Sequence, residues 1–210
     1  SSDKKMTHSQ YEQFCLFIRQ LEENGVKIPL HHCDNSAGII DVPEDSMDMV
    51  RAGISLYGMY PSDEVNKKSV MLSPALSMKS HIIYLKEVDA GQGISYGSTF
   101  VTKRRTKVAT VPVGYGDGYQ RNLSNRGYVL IRGKKVNIIG RVCMDQFMVD
   151  VTDLEEVCEG DEVTLIGTDG ANTITTEELA ELAGTFNYEF VCDLGKRVPR
   201  VYYHHGKIVC

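Results

Sequence analysis

The hydrophobic period of this chain changes once, near Pro61, and that change limits the folds open to it. Before it, residues 9–24 (SQYEQFCLFIRQLEEN) space Tyr11, Phe14, Cys15, Ile18 and Leu21 three and four apart, which predicts an amphipathic helix that Gly25 closes. A short apolar strand is expected at VKIPLHH, then a polar turn at CDNSAG, a second short helical stretch, and a strand in DMVRAGISLYG before the break at MYPSDEVNKKS. Strand, polar turn, helix and strand again is the grammar of a parallel α/β unit, whose functional groups collect at the carboxyl ends of its strands. Only about two such units fit in residues 1–60, too few for an independent parallel sheet.

After Pro61 the runs ALSMKSHIIYLKEV, KVATVPVGY, GYVLIRG, KKVNIIGRV, QFMVDVTD and DEVTLIG are short, rich in β-branched and apolar residues, and divided by Gly and Asp turns. That pattern predicts an antiparallel sheet or barrel. The Gly133 turn joins two apolar arms into a hairpin. Thr175 and Glu178 stand at capping-box spacing, which predicts a helix from Thr176 to Gly184. The chain is thus two unlike pieces, an α/β remnant and a mostly β domain.

Composition removes several classes of function. The 23 basic and 28 acidic residues give a net charge of −5 with no block of like charge, which speaks against nucleic acid or an anionic membrane as partner. The longest basic run, TKRRTK at 102–107, is expected as a solvated turn. No apolar run approaches the ~20 residues that cross a bilayer, and the first residues lack a signal-peptide pattern, so a soluble, cytoplasmic protein is expected. The six cysteines are scattered with no CxxC pair, and the adjacent pairs His31-His32 and His204-His205 are poor metal ligands, so no metal is expected.

Four local features carry chemistry. HCDNSAG offers a serine hydroxyl and backbone amides after a strand, either a phosphate cradle or a plain Asn-Ser turn. Arg51 falls inside an otherwise apolar expected strand and needs a partner there, in a salt bridge or a site. GRVCMDQF sets Arg141 and Asp145 around an apolar core. Tyr96, in GQGISYGSTF, and Tyr115, in VPVGYGDGYQR, are flanked by glycines that let the backbone turn sharply and present each phenol outward.

In order, HCDNSAG, MVRAGISLYG, GISYGSTF, VPVGYGDGYQR, IGRVCMDQFMVDV, GDEVTLIG, NYEFVC and RVPRVY resemble the carboxy-terminal half of alanine racemase, from about Gln10 to Tyr202. The resemblance implies a mainly β carboxy-terminal domain preceded by the last strand and helix units of a (β/α)8 barrel, in a head-to-tail homodimer. Residues 1–60 would be the carboxy-terminal remnant of the barrel that binds pyridoxal 5'-phosphate, residues 61–70 a linker, and residues 71–210 the β domain.

By the same resemblance Tyr96 matches a tyrosine that reaches the cofactor of the partner subunit as one of two bases. Racemisation takes a hydrogen from one face of the α-carbon and returns a proton on the other, so two acid/base groups must face each other. A free phenol titrates near ~10, so nearby positive charge must poise it. The second base is the lysine that carries the cofactor. Ser36, Gly53, Ile54 and Tyr188 match residues that hold the cofactor phosphate. Arg51 matches the arginine facing the pyridine nitrogen, and His32 a residue that orients it. Met144 matches a substrate-pocket residue whose backbone meets the substrate carboxylate. Tyr115 and Tyr188 match an entrance gate, while Arg121, Arg141, Asp145 and Phe186 match the corridor leading to it.

Two departures stand out. Asp34 occupies a position where the family has a small apolar residue, placing a carboxylate beside the phosphate turn. The family's lysine matches none of the lysines here, and residue 1 corresponds to a loop late in the barrel, so a carboxy-terminal fragment, inactive alone, is expected. The function implied is interconversion of L- and D-alanine for peptidoglycan supply, with serine as an alternative substrate. A non-catalytic β module for dimerisation or partner binding is the competing reading.

Overall fold

The amino-terminal helix runs further back than its apolar stripe required. The computed structural model describes residues 3–209, and α1 spans Lys5–Glu23. Its end is a Schellman motif in which Gly25 (φ +80°) donates to Glu22 O at 2.9 Å and Val26 to Leu21 O at 2.9 Å. Helix α2 (Ser36–Asp41) follows, with the Asn35 side chain accepting from the Ala37 and Gly38 amides at 3.1 Å.

The two strands expected in this region are not formed. VKIPLHH is extended but unpaired, and DMVRAGISLYG holds a 3₁₀ turn at Ile54–Tyr57 closed by Gly58 at φ +76°. The segments do run side by side, with Met49 N bonded to His31 O (3.3 Å) and Arg51 N to Asp34 O (2.9 Å). Two bonds fall short of a ladder, and among the described residues of this region no strand lies beside either segment. Arg51 is therefore exposed rather than enclosed in a strand.

The chain divides into two units between Ala75 and Leu76. Residues 61–70, expected as a linker, are folded into the first unit. There the Tyr60 hydroxyl donates to Val70 O (2.9 Å) and the Asn66 amide to Asp41 Oδ1 (2.8 Å).

The second unit contains β1 (Met78–His81), β2 (Tyr84–Val88), β3 (Gly93–Ile94), β4 (Phe100–Val101), β5 (Thr106–Val111), β6 (Tyr128–Ile131), β7 (Lys134–Ile139), β8 (Phe147–Asp150), β9 (Glu162–Asp169) and β10 (Asn172–Ile174). Two helices, α3 (Thr176–Ala183) and α4 (Asn187–Asp193), and a terminal hairpin of β11 (Tyr202–His204) and β12 (Lys207–Val209) complete it. The large antiparallel sheet has the order β1-β9-β6-β7-β8-β5-β2, with β10 on β9, while β3–β4 and β11–β12 are separate ribbons. The strands at the two ends of this path are joined by Ile82 and Ile83 alone. Ile82 donates to Asp161 O (2.9 Å), where β9 is about to begin, and Ile83 donates to Thr110 O (3.0 Å) in β5. Laid flat, seven strands would part the outer two by about 29 Å. Three residue steps span at most about 11 Å, so the sheet is curled round on itself as a barrel.

Its interior holds the largest fully buried side chains, Tyr119, Phe147 and Phe190, with Leu130, Ile138 and Leu165 from β6, β7 and β9. Tyr119 stacks on Phe147 (centroids 5.3 Å, 20°) and meets Phe190 edge-on (6.4 Å, 84°). Helix α3 joins this core through Leu179, Ala180 and Ala183. Thr175 accepts from the Glu178 amide at 3.1 Å and Gly184 ends the helix at φ +78°, as the capping pattern predicts. The expected hairpin is a two-residue turn with Arg132 at φ +52° and Gly133 at φ +71°, the primed geometry that matches strand twist.

The buried Tyr119 hydroxyl has no partner among the described residues, whereas its ring carries most of the contact. Tyr119→Phe is therefore expected to keep or raise the urea midpoint of the chain, because it removes a desolvated hydroxyl. Phe147→Ala is expected to cost about 3–5 kcal/mol. Comparable losses in both variants would show that the hydroxyl is satisfied.

Arg132 reaches from the hairpin turn to Asp161 through Nε (2.9 Å) and Nη2 (3.0 Å). This guanidinium, helped by the Cys158 amide, holds the Asp161 carboxyl down at about 2 from an ordinary 3.8. A depressed carboxylate contributes stability that is complete above its unfolded pKa and disappears as pH falls through the folded one. Arg132→Gln is expected to move acid unfolding to higher pH, within the window from about 4 to about 2. Circular dichroism during acid titration checks this, and an unmoved midpoint would refute it.

Candidate active site

In the first unit, the expected cofactor residues converge on two adjoining segments. The Ser36 hydroxyl, at the start of α2, accepts from the Gly53 amide (2.9 Å) and the Ser55 amide (3.3 Å) and meets the Ser55 hydroxyl at 3.0 Å. Gly53 precedes the 3₁₀ turn that Ile54 begins, and first-turn amides have no intrahelical acceptor. A hydroxyl and backbone N–H groups around one point form a donor set suited to a phosphate.

Asp34 does not spoil this set. Its buried carboxylate accepts from Ser46 Oγ (2.8 Å) and from Cys33 Sγ, and lies where a Cβ on Gly38 would come within 2.7 Å of Oδ1. The residue is engaged in holding the turn together, on the side of α2 marked by Gly38. Arg51 donates through Nη1 to His32 Nδ1 (2.6 Å) and through Nη2 to Cys33 O (3.1 Å). A guanidinium cannot accept, so His32 Nδ1 is the acceptor, and the ring fixes the direction of the cation. Ser36, Gly53, Ile54, Arg51 and His32 thus lie on two adjoining segments of the first unit, whereas Tyr188, expected to hold the phosphate with them, belongs to α4 of the second unit.

In the second unit, a loop at 141–146 bears Arg141, Met144 and Asp145 and lies between two turns. On one side is the Tyr96 turn, a 3₁₀ segment at Tyr96–Ser98 following Ser95 at φ +62°. Ser95 Oγ donates to Arg141 O (2.9 Å) and touches Cys143 Sγ (3.4 Å). Tyr96 is 77% exposed, so its phenol is held out from the unit as its glycine neighbours suggest. On the other side is the Tyr115 turn, where Tyr115 donates to Cys143 O (3.0 Å) and Gly116 to Met144 O (2.9 Å).

The remaining corridor residues are grouped more loosely. Tyr115 and Arg121 line one open groove of about 450 Å³ together with Gln120, Thr185, Glu189 and Asp193. The Phe186 and Tyr188 rings meet at a tilt at the start of α4 (5.5 Å, 33°), and burial pushes the Tyr188 phenol up. Two contributors escaped the sequence reading. Ser95 stands beside Tyr96 in GQGISYGSTF with no signal of its own. Asp117 accepts from the Gly114 amide (2.9 Å) and so shapes the Tyr115 turn; its position three residues after a glycine was the readable signal. No cluster of His, Cys, Asp or Glu among the described residues could hold a metal ion, and the five described cysteines are free.

The Tyr115 turn sits against 141–146 at a spacing that leaves no room for a side chain. A Cβ on Gly114 would fall 2.2 Å from Cys143 O and 2.3 Å from Met144 O. Gly114→Ala is expected to separate the two loops and to speed hydrogen exchange at the Tyr115 and Gly116 amides by at least about tenfold. Unchanged exchange there would show that the contact carries no positional constraint.

Comparison with known proteins gives a family for the chain. Residues 75–202 match the model of the alanine racemase C-terminal domain and residues 1–61 that of the alanine racemase N-terminal domain. Alanine racemase of Clostridium perfringens is 46% identical over 207 residues, and that of Methanococcus maripaludis 50% over 204, covering 99% and 97% of this chain. The chain spans about half the length of these curated relatives, 54% in each case. Among solved structures, alanine racemase of Clostridium difficile 630 in complex with cycloserine aligns with a TM-score of 0.93 at 42% identity, over 100% of this chain and 55% of that one. The Bacillus anthracis alanine racemase with bound L-Ala-P gives 0.93 at 40% identity, over 99% and 53%. With both family models matching in order along its length, the chain belongs to the alanine racemase family.

Proposed function

We propose that these 210 residues form the carboxy-terminal half of a pyridoxal-phosphate-dependent alanine racemase that works as a head-to-tail homodimer in the cytoplasm and supplies D-alanine for peptidoglycan. The observation that carries this reading is the pairing of an oriented cation with a phosphate-type cradle: Arg51 aimed by His32, a few residues from the Ser36 hydroxyl and the Gly53 amide. A dimerisation module without catalysis has no use for that arrangement.

Pyridoxal phosphate, when bound, supplies the electron sink that makes the α-hydrogen of an amino acid removable. The protein residues do the rest. Ser36, Gly53 and Ile54 would hold the phosphate, with the Gly53 amide turning to it from Ser36 Oγ. Arg51, a permanent cation, would face the pyridine nitrogen and keep it unprotonated, which would moderate the sink and disfavour side reactions such as transamination. Tyr96 of the partner subunit would move the proton on one face of the α-carbon, opposite the lysine that would carry the cofactor. The Met144 backbone meets the substrate carboxylate, and Tyr115 narrows the entrance. Alanine is the substrate favoured by the relatives.

The test uses the full-length enzyme of which this chain is the carboxy-terminal half. Tyr96→Phe is expected to retain the yellow cofactor while racemisation from L-alanine falls by about 10²–10⁴-fold. The unsubstituted 210-residue chain incubated with the cofactor serves as control and is expected to give no D-alanine, since no matching lysine lies in it. Undiminished rates in the Tyr96 variant would end its assignment, and turnover by the control would end the requirement for the missing lysine.

A further inference from the structure

The RVPRVY motif has no role in the scheme above, yet its first arginine touches both of the loops on which the substrate side of the second unit rests. Arg197 Nε donates to Asp117 Oδ1 (2.7 Å), and Nη2 donates to Asp145 Oδ1 (2.8 Å) and to Met144 O (3.2 Å). The other Asp117 oxygen accepts from Gly114 N (2.9 Å), and Met144 O also accepts from Gly116 N (2.9 Å). The segment bearing Arg197 is anchored in turn. Gly195 N donates to Asp117 O (2.8 Å), and Arg200 donates to Leu194 O and Val198 O at 2.8 Å and to Gly195 O. Space is reserved for this guanidinium, since a Cβ on Gly116 would sit 2.5 Å from Nη2.

We propose that Arg197 is a positioning residue for the reaction, a fork that ties the Tyr115 turn to the Met144–Asp145 loop and so fixes the Met144 backbone. It also offsets two carboxylates, Asp117 and Asp145, beside the place where an anionic substrate carboxylate arrives. The role rests on the function proposed above. A lone exposed ion pair is worth little. Here one planar group serves three acceptors on two loops, which a lysine ammonium cannot reproduce with the same angles.

The test pairs two readouts. In the 210-residue chain, hydrogen exchange is followed at the Gly114 and Gly116 amides in Arg197→Gln and Arg197→Lys. In the full-length enzyme, KM and kcat for alanine are measured for both variants. Exchange is expected to quicken by about tenfold or more and KM to rise about tenfold with kcat changed far less, because the Met144 contact to the carboxylate acts on bound substrate generally. Lysine is expected not to rescue. Unchanged exchange and KM in Arg197→Gln, full rescue by lysine, or a lowered melting temperature with KM unmoved would each overturn the proposal. Should Arg197→Gln fail to fold, the lysine variant decides by the same two readouts. Failure of the unsubstituted full-length enzyme to racemise alanine would instead overturn the function, and the role of Arg197 in it, while the exchange arm still reports whether the two loops are tied.

Discussion

Closure of the large sheet is the constraint from which the second unit is built. Because Ile82 and Ile83 alone connect the strands at the two ends of the hydrogen-bonded path, the sheet has to curl, and curling creates an inside. Tyr119, Phe147 and Phe190 fill that inside with ring-to-ring contacts, and helix α3 contributes Leu179, Ala180 and Ala183 to the same core. With the strands committed to the sheet, the loops joining them are left free to carry polar and aromatic groups.

Those loops are positioned by backbone contacts more than by side-chain packing. Gly114 and Gly140 stand where any Cβ would strike a neighbouring strand or loop: Gly114 against the Cys143 and Met144 carbonyls, Gly140 against the Ile94 carbonyl at 2.7 Å. Around them the Ser95 hydroxyl, the Asp117 carboxylate and the Arg197 guanidinium complete a polar frame. The exposed phenols of Tyr96 and Tyr115 therefore sit on rigid footings, which is what a group asked to meet a substrate at a set distance needs.

The first unit is organised differently. Its chemistry hangs on short range, with the Asn35 cap, the Ser36 hydroxyl and the Arg51–His32 pair all within the two segments 31–36 and 51–55. Its hydrophobic side is less complete: Phe17, Ile28 and Leu30 are exposed around a hollow of about 230 Å³ beneath α1. The expected strands there lie side by side with only two backbone bonds, since strand formation depends on pairing that a local run of apolar residues cannot supply. That dependence also explains why Arg51, expected within a strand, is exposed.

By itself the sequence determined the elements whose causes are local: the stripe of α1 and its glycine stop, the Thr175 cap, the Arg132-Gly133 turn, the β-branched apolar strands of the second unit, and the outward tyrosines among glycines. It also held enough ordered motifs to mark the family, and with them the candidate positions Ser36, Arg51, Tyr96 and Met144. What only the tertiary structure decided were matters of distance between residues far apart in the chain. The choice between an open sheet and a closed barrel turned on Asp161, just before β9, and Thr110 of β5 accepting from consecutive residues, Ile82 and Ile83. Asp34 was ambiguous until its carboxylate was seen bonded to Ser46. The link from Arg197 to Asp117, 80 residues away, has no local signature, because a surface arginine in a coil looks the same in sequence whether it is solvated or forked between two loops.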